Sequence, residues 1–311
     1  MKRFFGILTC LIVFSACDDG DLVIDTIDFD EVTTSSCGDA NNLLFKLKEG
    51  EALILNVPTE TFKEEATPPN DPIRLNVSSQ NQVVYNFYDG KVSSNNICDL
   101  IPPSTPNVKN QWKADSGVIE VTTVTVKSLD ETNNSTKITG YKHNIIFKNI
   151  TFGKGDGTTQ FYESFVFGDY LKNITPLPLA FDQKLSICNT GLVYETSASE
   201  SLTLTIDPLL IDNSNTPIGQ PRVGTIGLLK NKLVYRLYTN VISVDKFCET
   251  TDFAVKEEWL GVAGGTIEVT TTSIGNVFTH VIVFKNVSLA KGNNNFRLGD
   301  TYKYGELQTH P

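Results

Sequence analysis

Histidine is the first residue type to examine for proton-transfer chemistry, because imidazole titrates near neutral pH. The chain has three, His143, His280 and His310. The first two each alternate with apolar residues two and four positions further on, which places both imidazoles on apolar faces of predicted strands. His310 lies one residue from the end of the sequence. We therefore predict that His143 and His280 are core residues held by hydrogen bonds and are not catalysts.

No other pattern points to catalysis. Glu120 and Glu268 occupy predicted strands, without a second acid at the spacing that a carboxylate pair needs. The sequence contains no nucleophile elbow, no zinc-protease helix motif and no phosphate-binding loop. Oxygen ligands at Asp212–Asn215 and Asp18–Asp21 leave a calcium ion open, but neither run completes a calcium loop. We predict a non-catalytic protein with no cofactor and no assigned metal site.

Four cysteines are candidates for structural disulfides. Cys37, Cys98, Cys188 and Cys248 lack the paired spacing of zinc ligands. An even number of cysteines in an exported protein predicts disulfides, and four cysteines allow three connectivities.

A duplication organises the elements that must position these residues. The run Gln82–Tyr88 matches Lys232–Tyr238, and Gly117–Thr123 matches Gly265–Thr271. The remaining matches, in the same order along the chain, are Cys37 with Cys188, Cys98 with Cys248, Trp112 with Trp259, and His143 with His280. A two-copy repeat of this length indicates two domains of ordinary size.

The duplication selects one disulfide connectivity. If each copy folds alone, Cys37 pairs with Cys98 and Cys188 pairs with Cys248. Each bridge then closes a loop of about 60 residues, which a loop-entropy model values at about 4 kcal/mol.

Runs rich in Thr, Val, Ile, Phe and Tyr, separated by Asn, Gly, Asp and Pro, predict an all-β chain. We expect two tandem, duplicated antiparallel domains, each a β-sandwich or a β-barrel-like fold. The predicted domains are residues 28–172 and 177–311, with two prolines in the join between them.

Four aromatic residues form a candidate ligand platform. Trp112 and Trp259 are equivalent in the two copies, and so are Tyr88 and Tyr238. Together they could stack against sugar rings, but large aromatic residues at duplicated positions more often fill equivalent cores. We favour the core.

The first 16 residues have the composition of an export signal. Lys2 and Arg3 precede an apolar run from Phe4 to Phe14, which is too short to span a bilayer, and small residues then precede Cys17. This segment resembles a bacterial lipoprotein signal. The resemblance implies cleavage before Cys17 and attachment of lipid to its thiol.

Acidic residues follow at once. Asp18, Asp19 and Asp21 resemble the surface-export signal of Bacteroidetes lipoproteins, and residues 17–30 are similar to the start of uncharacterised flavobacterial lipoproteins. The resemblance implies an outer-membrane protein exposed at the cell surface. Residues 17–27 would then form an acidic tether between the lipid and the first domain.

Charge excludes one class of partner. The chain carries a net charge of −10, and loss of Lys2 and Arg3 with the signal would make it −12. Without a basic cluster we predict no nucleic-acid partner. We expect an interaction or accessory subunit of an outer-membrane transport or assembly complex, which binds through loops such as Thr59–Pro72 and Asp212–Gly224. The alternative is a module that binds a glycan or another extracellular polymer.

Overall fold

The computed structural model describes residues 26–38, 43–244, 247–249 and 253–311. Almost all regular structure in these ranges is β-strand, arranged in two antiparallel sheets, one of them curled into a half-barrel. The predicted all-β, two-domain architecture is therefore confirmed. None of the helices in the described part of the chain is long and apolar enough to cross a bilayer.

The first domain contains eight strands in the order β1-β2-β3-β5-β6-β7-β8, with β4 beside β6. The strands are β1 (Ser35–Ser36), β2 (Leu43–Lys48), β3 (Glu51–Asn56), β4 (Ile73–Asn76), β5 (Gln82–Tyr88), β6 (Val108–Asp130), β7 (Ser135–Gly153) and β8 (Thr159–Asn173). A 3-10 turn at Thr59–Thr61 and a short helix α1 (Asn95–Cys98) interrupt them.

The second domain contains nine strands in the order β12-β15-β16-β14-β13-β11-β10-β9, with β17 beside β16. The strands are β9 (Ser186–Ile187), β10 (Leu192–Ser197), β11 (Glu200–Thr205), β12 (Arg222–Thr225), β13 (Lys232–Tyr238), β14 (Val255–Gly261), β15 (Thr266–Ile274), β16 (Val277–Lys291) and β17 (Asn294–Thr309). A 3-10 turn spans Pro208–Ile211.

The same strand pairings recur in both domains. The first five strands of one match the first five of the other, and the long β6 corresponds to β14 and β15 together. The register agrees residue by residue, since Tyr85 lies opposite Trp112 and Tyr235 lies opposite Trp259. The last strands, β8 and β17, each pair with the preceding long strand. The sequence repeat is thus a repeat of strand topology.

Both disulfides have the connectivity that the repeat selects. Cys37 is bonded to Cys98 and Cys188 to Cys248, with Cα atoms 5.2 Å and 5.6 Å apart. Each bridge joins the segment after the first strand of its domain, β1 or β9, to the segment after the fifth strand, β5 or β13.

The first domain begins one residue earlier than predicted, at the end of the segment expected to be a tether. Ile27 and Phe29 are buried in the first hydrophobic core, and Ile27 N donates a hydrogen bond to the Tyr162 hydroxyl at 3.1 Å. Ile27 therefore belongs to the first domain, because its apolar side chain is more stable buried near β8 than exposed to water in a linker.

The two domains share an interface. Ile138 and Tyr141 of β7 are buried in the hydrophobic core of the second domain, and so contribute to both folds. Asn294 of β17 is buried between the domains. Its Oδ1 accepts from Ala66 N at 2.9 Å, and its Nδ2 donates to Glu64 O at 3.0 Å and to the Tyr141 hydroxyl at 3.1 Å. These bonds fix one domain against the other.

Candidate functional site

His143 is fully buried, and its surroundings explain why an imidazole lies in the core. The Thr123 hydroxyl lies 2.8 Å from His143 Nδ1. Thr67 holds the backbone of Thr123, since Thr67 N donates to Thr123 O at 3.0 Å and Thr123 N donates to Thr67 Oγ1 at 3.2 Å. The rings of Phe62 and Tyr170 cover the imidazole, with centroids 5.2 Å and 5.8 Å away.

His280 has the same threonine neighbour and a longer chain of hydrogen bonds. The Thr309 hydroxyl donates to Asn213 Oδ1 at 2.5 Å, so His280 Nε2 must donate to Thr309 Oγ1, at 2.9 Å. The neutral ring then accepts at Nδ1 from the Thr271 hydroxyl at 2.8 Å. Arg222 Nη1 donates to that same hydroxyl oxygen at 2.8 Å. Each of these donor hydrogens therefore has an acceptor.

Both histidines are held in the neutral form. Burial lowers the pKa of His143 to about 4, and the charge of Lys172 adds to the effect. Burial also lowers the pKa of His280, with Arg222 contributing in the same direction. A general base must reach the proton it abstracts, and neither ring contacts solvent. The prediction that both rings lie in the core and are hydrogen-bonded is confirmed, with His143 bonded through Nδ1 while its Nε2 is buried without a hydrogen-bond partner among the described residues.

The other polar candidates lie on the surface. Glu120 forms an ion pair with Arg74, with Oε1 and Nε 2.8 Å apart. The Asp212 carboxylate accepts from the Ser214 hydroxyl at 2.6 Å. In the described part of the chain no three His, Cys, Asp or Glu side chains come together in a group that could hold a metal ion.

The proposed aromatic platform does not form. Trp112, Trp259, Tyr88 and Tyr238 are all buried, because they fill the cores on which their strands pack. A lysine also covers each indole: the Lys154 ammonium lies 4.1 Å from one ring centroid and its counterpart Lys291 lies 5.7 Å from the other. These four residues belong to the folds and offer no open stacking surface.

A duplicated pair of tyrosine and glutamate escaped the sequence analysis. The Tyr85 hydroxyl donates to Glu51 Oε2 at 2.9 Å, and the Tyr235 hydroxyl donates to Glu200 Oε2 at 2.8 Å. In the second domain the carboxylate also accepts from the backbone N–H groups of residues 179 and 180, at 3.0 Å and 2.9 Å. The signal was present, since Glu51 and Glu200 occupy equivalent places in the repeat, but one acidic residue in a strand does not reveal its partner.

One buried position has opposite charge in the two domains. Lys46 and Glu195 occupy equivalent places in β2 and β10, and both are buried. Lys46 Nζ donates to Phe29 O at 3.0 Å, whereas Glu195 Oε2 accepts from Gln183 N at 3.2 Å. Each side chain therefore fixes the residues that lead into the first strand of its domain, one through a carbonyl and the other through an amide.

Glu195 should make the stability of the protein depend on pH. Burial raises its pKa to about 8 from 4.5, and the nearby charges of Asp182 and Glu200 add to this, so the folded chain keeps a proton that the unfolded chain releases. The free energy of unfolding should therefore fall as pH rises from about 4.5 to about 8. We expect Glu195→Gln to match the parent near the low end of this window and to exceed it by about 4 kcal/mol near the high end.

Chemical denaturation at both pH values measures the difference. The comparison between parent and variant cancels the two histidines, whose lowered pKa values act oppositely by weakening the fold as pH falls below 6.5. A difference that does not change with pH would mean that Glu195 is ionised in the folded chain.

A narrow cleft lies between the domains. Aromatic and aliphatic side chains line it, including Tyr141, Trp259 and Phe296, with Lys137 and Glu64 at its rim. The centre of a water molecule can move through only about 50 Å³ of it. That is room for a few waters and far less than a sugar ring needs.

The two loops expected to carry recognition have different positions. Thr59–Pro72 contributes Glu64 and Ala66 to the contacts with Asn294, so part of it is hydrogen-bonded to the second domain. Asp212–Gly224 lies over the end of β17, where Asn213 contacts Thr309. The first loop is thus partly structural, which sequence could not reveal because Asn294 is more than 220 residues away.

Exposed leucines gather instead at one end of the second domain. Leu209 is 74% exposed, and Leu228 and Leu229 are 65% and 93% exposed. Their two loops are joined by Asp207, whose Oδ2 lies 2.7 Å from Lys230 Nζ. We call Leu209, Leu228 and Leu229 the leucine tip. The equivalent positions of the first domain carry Glu60 and the polar run Ser78–Gln80.

Cys17, the predicted lipidation residue, and Asp18, Asp19 and Asp21, the predicted export signal, lie outside the described residues. No protein-family model, curated protein or solved structure matches this chain.

Proposed function

We propose that this protein is a lipid-anchored, surface-exposed outer-membrane lipoprotein that works as an interaction subunit, docking onto an outer-membrane protein through the leucine tip. The supporting observation is the contrast between duplicated domains. Where the first domain presents Glu60 and serines, the second presents three leucines that are mostly exposed.

The chemistry of the tip favours a binding role. Exposed leucine side chains do not stabilise the fold by burial. Burial against a partner would contribute about 25 cal/mol of favourable free energy for each Å² of apolar surface removed from water. Clustered exposed apolar side chains usually mark such a contact. Lys230 and Asp207 beside the tip are already paired with each other, so the apolar contact would not leave an unpaired charge buried.

The sequence features at the N-terminus support the location. A lipid on Cys17 would hold the tip near the membrane and raise its effective concentration around an embedded partner. The acidic residues Asp18, Asp19 and Asp21 would direct the protein to the outer face. The glycan-binding alternative has less support, because the aromatic residues that suggested it are buried.

Capture from native outer membranes tests the proposal. The intact chain should retain a specific membrane protein, and a variant with Leu228→Ser and Leu229→Ser should lose most of it, at least tenfold for two buried leucines. Serine occupies the two equivalent positions of the first domain, so this loop accepts serine there and the double variant should fold normally. The matched control is Ile274→Ser, since Ile274 is 88% exposed and lies outside the tip and outside both predicted binding loops.

Two further arms separate the alternatives. Binding of the purified chain to protein-free lipid vesicles, lost in the same double variant, would mean that the tip inserts into lipid and does not dock onto a protein. A Cys17→Ser chain should fail to stay with the membrane, and an unchanged membrane fraction would contradict the anchor.

A further inference from the structure

The second domain closes its sheet through the residues that lead into its first strand. Leu185 N donates to Glu306 O at 3.1 Å and Glu306 N donates to Gln183 O at 2.9 Å, which makes a parallel bridge between Lys184 and Glu306. We call the place where the last strand of a domain faces these lead-in residues the seam. In this domain the backbone of β17 is satisfied there.

The first domain leaves its seam open. The groove between residues 30–36 and β8 has a volume of about 840 Å³. In the described part of the chain no backbone hydrogen bond crosses it. The sequence explains the difference: five residues separate Phe29 from Ser35, but only four separate Phe181 from Ser186. The longer segment turns away, with Val32 N donating to Phe29 O at 3.1 Å.

The edge of β8 along this groove is suited to pairing. Asp169 lies opposite Asn144, as Glu306 lies opposite Val281, so its N–H and C=O point away from β7 into the seam. Leu171, two residues further along, has the same orientation. An unpaired edge of this kind is a template for another strand. Val166 and Leu171 add exposed apolar surface, at 56% and 51%.

Polar groups in the groove suit a peptide backbone. Lys46 Nζ has one acceptor, Phe29 O, among the described residues, and an ammonium group can serve three. The Thr34 hydroxyl is buried without a hydrogen-bond partner. Both line the groove, where carbonyl groups of an extended chain would satisfy them. In the second domain the corresponding Glu195 is used by the domain's own backbone.

The charges that line the groove indicate which side chains a bound strand would carry. Asp30 and Glu31 lie along the groove, and among the described residues Lys46 is the only cation that lines it. Asp169 also lines it, but its carboxylate is already paired with Lys142, whose Nζ lies 3.5 Å away. An acidic rim attracts basic residues and repels acidic ones. Alternating side chains of a strand would place one set against Val166 and Leu171 and the other toward solvent and the rim.

We propose that the seam of the first domain binds an extended strand of a partner protein, in which basic residues alternate with β-branched ones, by adding it to the edge of β8. The proposal rests on the interaction role given above and names a second contact, distinct from the leucine tip. The second domain is the internal precedent, because there the chain's own residues form the same backbone bonds.

A random decapeptide display library, selected on the full chain, tests this inference. We expect enriched peptides that alternate Lys or Arg with Val, Ile or Thr, and that slow hydrogen exchange at the amides of Asp169 and Leu171. Leu171→Pro removes one outward N–H while sparing the bonds to β7, and proline is tolerated at such an edge. It should weaken the selected peptides about tenfold.

Leu171→Thr is the control, since it keeps the N–H and should retain most binding. Deletion of Thr33, which gives the lead-in residues the length found in the second domain, should close the seam and also reduce binding. Failure to enrich peptides, or peptides that bind Leu171→Pro equally well, would overturn the proposal.

The same variants separate this inference from the proposed function. If Leu171→Pro still captures the membrane protein and the tip variant does not, the docking role stands and the seam has no part in it. If selected peptides bind the seam while the tip variant still captures the membrane protein, the tip is not the docking surface and the inference about β8 stands.

Discussion

Replacing Glu200 with alanine should lower the free energy of unfolding of the second domain by about 3 kcal/mol. The carboxylate accepts three hydrogen bonds in a buried site, from the Tyr235 hydroxyl and from the backbone N–H groups of Leu179 and Ala180. Alanine would leave the buried Tyr235 hydroxyl and two partly buried backbone N–H groups without an acceptor, each at a cost of about 1 kcal/mol. The loss should also free the residues before Ala180 from β11.

The first domain provides the matched control. Glu51 has the equivalent position and accepts from the Tyr85 hydroxyl, but it is only partly buried, and water can replace the carboxylate there. Glu51→Ala should therefore cost about 1 kcal/mol. Glu200→Gln, which keeps one acceptor oxygen, should lie between the two alanine variants.

Each domain contains a single tryptophan, which allows the measurement to be made separately. Trp112→Phe leaves Trp259 to report on the second domain, and Trp259→Phe leaves Trp112 to report on the first. Denaturation of Glu200→Ala should shift the Trp259 signal far more than the Trp112 signal. Equal shifts in Glu51→Ala and Glu200→Ala would contradict the role of the extra backbone bonds.

Replacing Asn294 with leucine should uncouple the two domains. Leucine branches at the same carbon as asparagine but cannot serve Ala66 N, Glu64 O or the Tyr141 hydroxyl. Leaving these groups buried and unpaired should remove about 2 to 4 kcal/mol of coupling. Burial raises the pKa of Tyr141 to about 12, so its hydroxyl stays protonated in the parent.

The expected signature is a change from one transition to two. In the parent, the Trp112 and Trp259 signals should report transitions that coincide, because the core of the second domain includes Ile138 and Tyr141 of the first. In Asn294→Leu the midpoints should separate. Asn295→Leu is the control, since its exposed bond to Lys127 Nζ contributes little. Coincident midpoints in Asn294→Leu would show that the apolar contacts suffice to hold the domains together.

Several features followed from the sequence because each could be compared with its own duplicate. The β character, the two-domain organisation and the pairing of Cys37 with Cys98 all follow from local composition and the repeat. The buried histidines could be predicted for a physical reason. Each histidine shares one face of its strand with apolar residues. That face must lie in the core, since a shift of register by one residue would expose all of those apolar side chains.

The tertiary structure decided what depends on contacts between distant parts of the chain. Asn294 meets Tyr141 across 153 positions, and no local pattern marks either residue as an interface residue. Duplication alone left two interpretations of the equivalent aromatic residues, a platform and a core, and their burial agrees with the core that the sequence favoured. It also concealed differences, because a leucine tip, an open seam and the exchange of Lys46 for Glu195 are departures from the repeat. Whether such a departure matters depends on which groups lie within a few ångströms, and the fold alone sets those distances.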